Sequence, residues 1–356
     1  MVLKTATMEH AKSQLRQYPY QNTGWYLRRI VKSILFSKPL YLDHYSWPNA
    51  LLGMGLEQQN LLELLKIHYD TWIQTGIRLH STDNVLCGST LLYLYEETKE
   101  EKYLKAADEI MEYLVEHPKT VSGILPYRAK QTDEVFIDTI GIVIPFLARY
   151  ACARKHQSAA RMATNQLIQF LDYGMDARSG LPYHGYLVSN QCKQGMIGWG
   201  RACGWFLFGM AEYLFWIKNT EYNEIFPGEY IRIREACLKF LAVVESYRLE
   251  NGHFSWQLPA IEGPADSSAT GLITVAILRL VQAGIMEEKE GLHFANLGLK
   301  AIATSEKNGE IMDCSAECEG FGCYPQVYAS YPWSVGPAIM ADALYDLMIR
   351  GTHDHH

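Results

Sequence analysis

The 356-residue chain is predicted to be all-α, a closed (α/α)6 barrel built as a six-hairpin toroid, and three observations point there. Apolar residues recur at helical spacing in long blocks, while strict alternation hardly occurs. The blocks come in pairs, one apolar nearly all round and the next carrying a single apolar stripe. Each pair therefore reads as a buried helix followed by one that faces water. A Gly and a short aromatic turn then close the pairs at Gly123, Gly180, Gly252 and, more weakly, Gly309, which lie 57, 72 and 57 residues apart, as stacked supersecondary units do.

In chain order, Trp47 to Gly55 and Leu56 to Gly76 supply the first hairpin, which closes the ring with the C-terminal helix. Val85 to Glu97 is buried and Glu101 to Glu116 is amphipathic. The pattern returns with Ile137 to Ala151 and Gln157 to Tyr173, with Ile197 to Ile217 and Glu229 to Tyr247, and with Ser267 to Gly284 and Glu290 to Ser305. A last buried helix begins near Trp333. An open superhelix would expose these inner helices on a concave face, and they are too apolar for that. No Pro-, Gly- or Ser-rich linker interrupts the chain, so residues 1–356 read as one domain.

Composition narrows the partners. A net charge of −7 and the lack of any basic run argue against nucleic acid. No apolar stretch approaches the roughly 20 residues needed to span a bilayer, and the polar N-terminus does not read as a signal peptide. A soluble cytoplasmic protein, monomer or homodimer, is expected. Eight cysteines fit that compartment. Cys314, Cys318 and Cys323 have spacings unlike those of structural zinc pairs, so free thiols and no metal are expected. Aromatics reach 12%, led by 23 Tyr, which suits a wet cleft lined with rings.

In such a toroid the inner helices run in one direction, so their N-termini open on one face. There the sequence sets Trp47-Pro48-Asn49, Ser81-Thr82-Asp83-Asn84, Asp138-Thr139, Trp199-Gly200-Arg201, Asp266-Ser267-Ser268 and Tyr331-Pro332-Trp333. Asp, Ser, Thr and Asn also cap helices. That is the expected role of Ser267 or Ser268, while Asp83 is divided between cap and catalytic partner. Asp138 differs, because it stands inside the apolar run Val135 to Val143, where an unpaired charge is costly. Arg201, flanked by glycines and by Trp199 and Trp205, offers a two-pronged match to a carboxylate, with a structural ion pair the alternative. His184, in a turn leading back to the mouth, is expected to hydrogen-bond within the site. Asn84, Trp199, Trp205 and Trp333 complete the candidate binding residues, with core packing the alternative for the rings.

Two carboxylates, an Arg and stacking rings at such a mouth suggest acid-catalysed carbohydrate chemistry. The stretches Asp83-Asn84, Leu91 to Thr98, Glu101 to Ala107 and His117 to Thr120 resemble the unsaturated rhamnogalacturonyl and glucuronyl hydrolases, glycoside hydrolase families 105 and 88. So do Phe136-Ile137-Asp138, Ile144 to Ala148, Gly180 to His184, Trp199 to Trp205 and Asp266 to Thr270, in the same order from Asp83 onward. The resemblance implies hydration of the C4=C5 double bond of a terminal unsaturated uronic acid, without metal or organic cofactor. Asp138 would protonate C4, water would add at C5, and Asp83 would orient substrate or water. Val135-Phe136 replaces the family's usual Trp, Leu187 its acidic residue, and Cys318 to Cys323 matches its glycine loop only loosely. These departures leave the sugar beyond the unsaturated residue open. The alternatives are an epimerase or an inverting hydrolase of saturated glycans, and a non-catalytic sugar-binding barrel.

Overall fold

The computed structural model describes residues 2–17 and 44–353, with residues 27, 30, 31, 34 and 35 between them. Six helices form an inner ring: α2 (Trp47–Glu57), α4 (Cys87–Thr98), α6 (Ile137–Arg154), α8 (Gly200–Ile217), α11 (Ser267–Gln282) and α13 (Pro332–His353). Each packs on the next, and α13 packs back on α2, so the barrel closes. Around them lie α1 (Thr5–Gln17), α3 (Leu62–Gln74), α5 (Glu101–Glu116), α7 (Gln157–Tyr173), α10 (Pro227–Glu245) and α12 (Glu288–Thr304). A short helix, α9 (Glu221–Ile225), links α8 to α10. Among the described residues no helix is long and apolar enough to cross a membrane.

The two rings follow from the two kinds of sequence. Helix α8 is buried along almost its whole length, whereas α5 buries only the stripe Tyr103, Leu104, Ala106, Ala107, Ile110, Met111 and Leu114. Inner helices approach closely where glycine permits. A Cβ on Gly141 of α6 would stand 2.3 Å from the Trp205 ring of α8.

Two features go beyond the sequence reading. The polar N-terminus forms α1, which buries Thr7, Ala11, Gln14 and Leu15 and lies against both α13 and α2. That narrow stripe is enough to cover the seam where the ring closes. Short strands, absent from the periodicity, also appear. They are β1 (Glu134–Phe136), β2 (Gly185–Leu187) and β3 (Lys193–Gln194) in one antiparallel sheet, and the pairs β4 (Glu306–Lys307) with β5 (Glu310–Ile311) and β6 (Cys314–Ser315) with β7 (Tyr328–Ala329). All lie in connections before inner helices or in the long segment between α12 and α13.

Charge closes the end of the barrel away from the inner N-termini. Near the C-terminal ends of the inner helices, buried Arg149 binds Glu57 at 2.6 Å and Glu96 at 2.5 Å, and Arg279 binds Glu212 at 2.7 Å. Cations here also face the negative ends of their helices.

Candidate active site

Asp138 is the second residue of α6, which is capped by no side chain. Its carboxylate is 17% exposed and turns instead to His184, whose Nε2 lies 2.9 Å from Asp138 Oδ2. The β1–β2 ladder makes this contact. Phe136 pairs with Gly185, and the Ile137 amide donates to the His184 carbonyl at 2.9 Å, so the start of α6 and the turn before β2 are locked side by side. Gly185 is required there, since a Cβ would sit 2.1 Å from the Val135 carbonyl oxygen.

The imidazole is buried and fixed on both sides. Phe136, Trp199 and Phe321 present their rings at centroid distances of 5.2, 4.8 and 5.5 Å, and Nδ1 lies 2.7 Å from the Tyr324 hydroxyl. That hydroxyl oxygen accepts the Met196 N–H at 3.0 Å. The arrangement that uses every donor has Tyr324 O–H donating to Nδ1 and Nε2–H donating to Asp138.

Asp83 lies in a single 3₁₀ turn, Thr82–Asn84, ahead of α4. Ser81 caps that turn, and the Asp83 carboxylate accepts from Tyr127 O–H at 2.7 Å, which settles against a capping role for its side chain. Burial pushes its pKa up to about 6, with Glu317 and Asp138 adding to the push and the Tyr127 hydroxyl opposing it. The two carboxylates thus belong to one electrostatic neighbourhood.

Other expected residues are committed elsewhere. Asn84 is buried; its Oδ1 accepts from the His80 and Ser81 amides and its Nδ2 donates to the Tyr45 carbonyl, so it holds backbone together. Asp266 caps α11, through the Ser268 amide at 2.9 Å, in place of either serine; Ser267 donates to Met312 O and Ser268 to Asp266 itself. Trp205, 1% exposed, packs below the mouth edge-on to Trp47. Trp333 stacks on Tyr331 at 4.4 Å and donates from Nε1 to the Ser315 carbonyl.

Arg201 lies between Trp199 and Trp333, its guanidinium 4.7 and 5.8 Å from their ring centroids. It donates to Ser315 O at 2.7 Å, Ser315 Oγ at 2.9 Å and Ala316 O at 2.8 Å. Ser315 Oγ in turn donates to Asp266 Oδ2 at 2.6 Å, so one hydroxyl links the buried cation to its counter-charge. Arg201 therefore latches the segment between β6 and β7 over the mouth. Phe321 of that segment stacks on Phe136 at 3.9 Å, and a separate small cavity bordered by Trp199, Trp256, Cys318 and Tyr324 holds about 10 Å³. That is room for one water.

Sequence reasoning did not single out Tyr127, Ser315, Glu317, Phe321 or Tyr324 as site residues. Tyr127 had a signal, as the last residue of the aromatic turn beginning at Gly123. The others belong to a long connection whose pattern says nothing about where it folds.

Residues 45–348, nearly the whole inner ring, match the sequence model of Glycosyl Hydrolase Family 88. The chain belongs to this family. The unsaturated rhamnogalacturonyl hydrolase YesR of Bacillus subtilis is 28% identical over 189 residues, 49% of this chain and 55% of that protein. The chain thus matches about half the length of that relative. A possible glycoside hydrolase family 105 member from Klebsiella pneumoniae superposes with a TM-score of 0.77 at 19% identity, over 86% of this chain and 83% of that one. The unsaturated glucuronyl hydrolase of Bacillus sp. GL1 gives 0.68 at 15% identity, over 86% and 87%. These structural likenesses show the fold, an (α/α)6 barrel closed as the sequence predicts.

Proposed function

We propose that the protein is a glycoside hydrolase acting on the terminal unsaturated uronic acid of lyase-generated oligosaccharides, by hydration of the C4=C5 double bond. The observation that carries this reading is the Asp138–His184 pair, a carboxyl group at the mouth of a family 88 barrel held in one orientation by a buried imidazole. With Nε2–H on Oδ2, the proton for the substrate is carried on Oδ1. Asp138 delivers it to C4 while water adds to C5. The hemiketal so formed opens at its C5–O5 bond, and the hemiacetal left at C1 expels the neighbouring sugar. Asp83 orients the water or substrate.

The uronic carboxylate is assigned to Arg201. An incoming carboxylate competes with Ser315 and Ala316 for the same N–H groups, so binding and release of the covering segment are coupled. A cytoplasmic location is supported by the cysteines, none of which is disulfide-bonded among the described residues, as suits a reducing compartment.

The test is a panel of lyase-generated disaccharides followed by ultraviolet absorbance, because the conjugated C4=C5 chromophore disappears on hydration. Loss of absorbance with release of the neighbouring sugar is the expected result. Cleavage of saturated glycans with the unsaturated panel untouched would overturn the reading.

A further inference from the structure

Cys318 enters the site from the covering segment, and the proposed reaction has no use for it. Its Sγ lies 4.0 Å from His184 Nε2, which is itself 2.9 Å from Asp138 Oδ2, and one ligand atom from each residue falls within 4.8 Å of the others. The three come from separate parts of the chain: the first turn of α6, the turn before β2, and the connection between β6 and β7. An ion at tetrahedral zinc distances, about 2.0–2.1 Å to nitrogen and oxygen and 2.3 Å to sulfur, sets such atoms roughly 3.3–3.6 Å apart. The three atoms therefore need to move by only about 1 Å or less each to share one ion.

We infer that Asp138, His184 and Cys318 form a three-ligand site for a soft divalent cation of the zinc class, with its fourth position open to solvent. The mixture of thiol, imidazole and carboxylate favours zinc over magnesium or calcium, which take oxygen ligands. The surroundings support a ligating imidazole. Tyr324 Oη, 2.7 Å from Nδ1, can accept a proton placed there, which turns the bare Nε2 towards the ion, as the partners of ligating histidines generally do. Phe136, Trp199 and Phe321 keep the ring from rotating away. Arg201 fixes Ala316, two residues before Cys318, so the thiol is delivered by an anchored strand end rather than by a loose loop.

The consequence is inhibition. A bound ion ties the covering segment to the barrel and occupies an oxygen of Asp138, so it holds the site closed. That clause rests on the proposed hydrolase reading; the binding itself does not.

Cobalt(II) added to the reduced full chain should give a thiolate-to-cobalt charge-transfer band that saturates at one equivalent. Cys318→Ser should abolish the band and weaken zinc binding by at least about tenfold, since even residues that only support a ligand commonly cost 10–100-fold. Serine at the exposed Cys192 and Cys323 should leave the band intact. The histidines at 353, 355 and 356 can take cobalt but cannot produce a thiolate band. No band in the unsubstituted chain, or one that survives Cys318→Ser, would overturn the site. A second reading avoids substitution altogether: zinc should slow alkylation of Cys318 by iodoacetamide, followed by peptide mass spectrometry, without slowing that of Cys192. Equal Cys318 rates with and without zinc count against the site. Neither measurement contains substrate, so failure here and failure of the hydrolase reading are distinct results.

Discussion

His184 Nε2 stands 2.9 Å from Asp138 Oδ2, and this one contact joins two segments 46 residues apart at the point where the barrel opens. The carboxylate gains an orientation that its own helix does not give it. Most of what can be tested about the chemistry follows from that pair.

Asp138→Asn keeps the shape of the side chain but removes the carboxyl proton. The variant should fold normally by circular dichroism, still bind an unsaturated disaccharide, and lose at least about 10²-fold in kcat, the low end for general acid catalysis. Solvent deuterium should appear at C4 of the product of the unsubstituted enzyme. A C4 without label, or near-normal turnover by the variant, would sink the hydration mechanism.

Tyr324→Phe removes the hydroxyl that fixes the His184 tautomer while keeping the ring beside Trp199. Loss of one neutral hydrogen bond is worth about 0.5–1.5 kcal/mol, so kcat should fall roughly 2–10-fold with KM little changed. A change confined to KM would assign Tyr324 to substrate binding instead.

Arg201→Lys keeps the charge but loses the paired N–H groups that reach Ser315 and Ala316. A kcat/KM lower by about 10–10²-fold is expected on the uronic substrate, the scale of a charged hydrogen bond. Equal losses on a carboxyl-reduced substrate would leave the latch and remove the carboxylate anchor.

Asp83, raised by burial to about 6 in the folded chain from an ordinary 3.8, binds its proton more tightly folded than unfolded. Its contribution to stability is therefore full below about pH 4 and is lost as pH rises through 6. Melting of the unsubstituted protein and of Asp83→Asn, compared between pH 4 and 7, should show the Asn variant gaining relative stability as pH rises. A pH-independent difference would mean that the carboxyl is not held in its proton-favouring site.

At the far end of the barrel, Arg149→Met leaves Glu57 and Glu96 without their cation. Glu57 is 5% exposed, and burial pushes its pKa up to about 7 even with Arg149 beside it. Breaking such a pair costs about 3–5 kcal/mol, so the urea midpoint should drop sharply while KM stays unchanged. An unaltered midpoint would show that the ion pairs there are dispensable.

The sequence by itself determined the ring. Helical period, the alternation of wholly apolar with one-sided helices, and residues such as Asp138 and Trp199 at helix starts are local properties, set by neighbours three or four residues away. Local pattern therefore sufficed to put Asp83, Asp138 and Arg201 on the mouth. It did not decide what each would touch. Asn84 and Arg201 had the chemistry of ligand binders, yet the fold gives the first to backbone and the second to Ser315 and Ala316. Tyr127 meets Asp83 across 44 residues, and Tyr324 meets His184 across 140. Contacts of that separation arise only when strands pair and a connection folds over the barrel, because side-chain partnership is fixed by packing in space and leaves no period in the chain. The latch over the mouth, the ion pairs at its far end and the gathering of Cys318 with Asp138 and His184 were decided there.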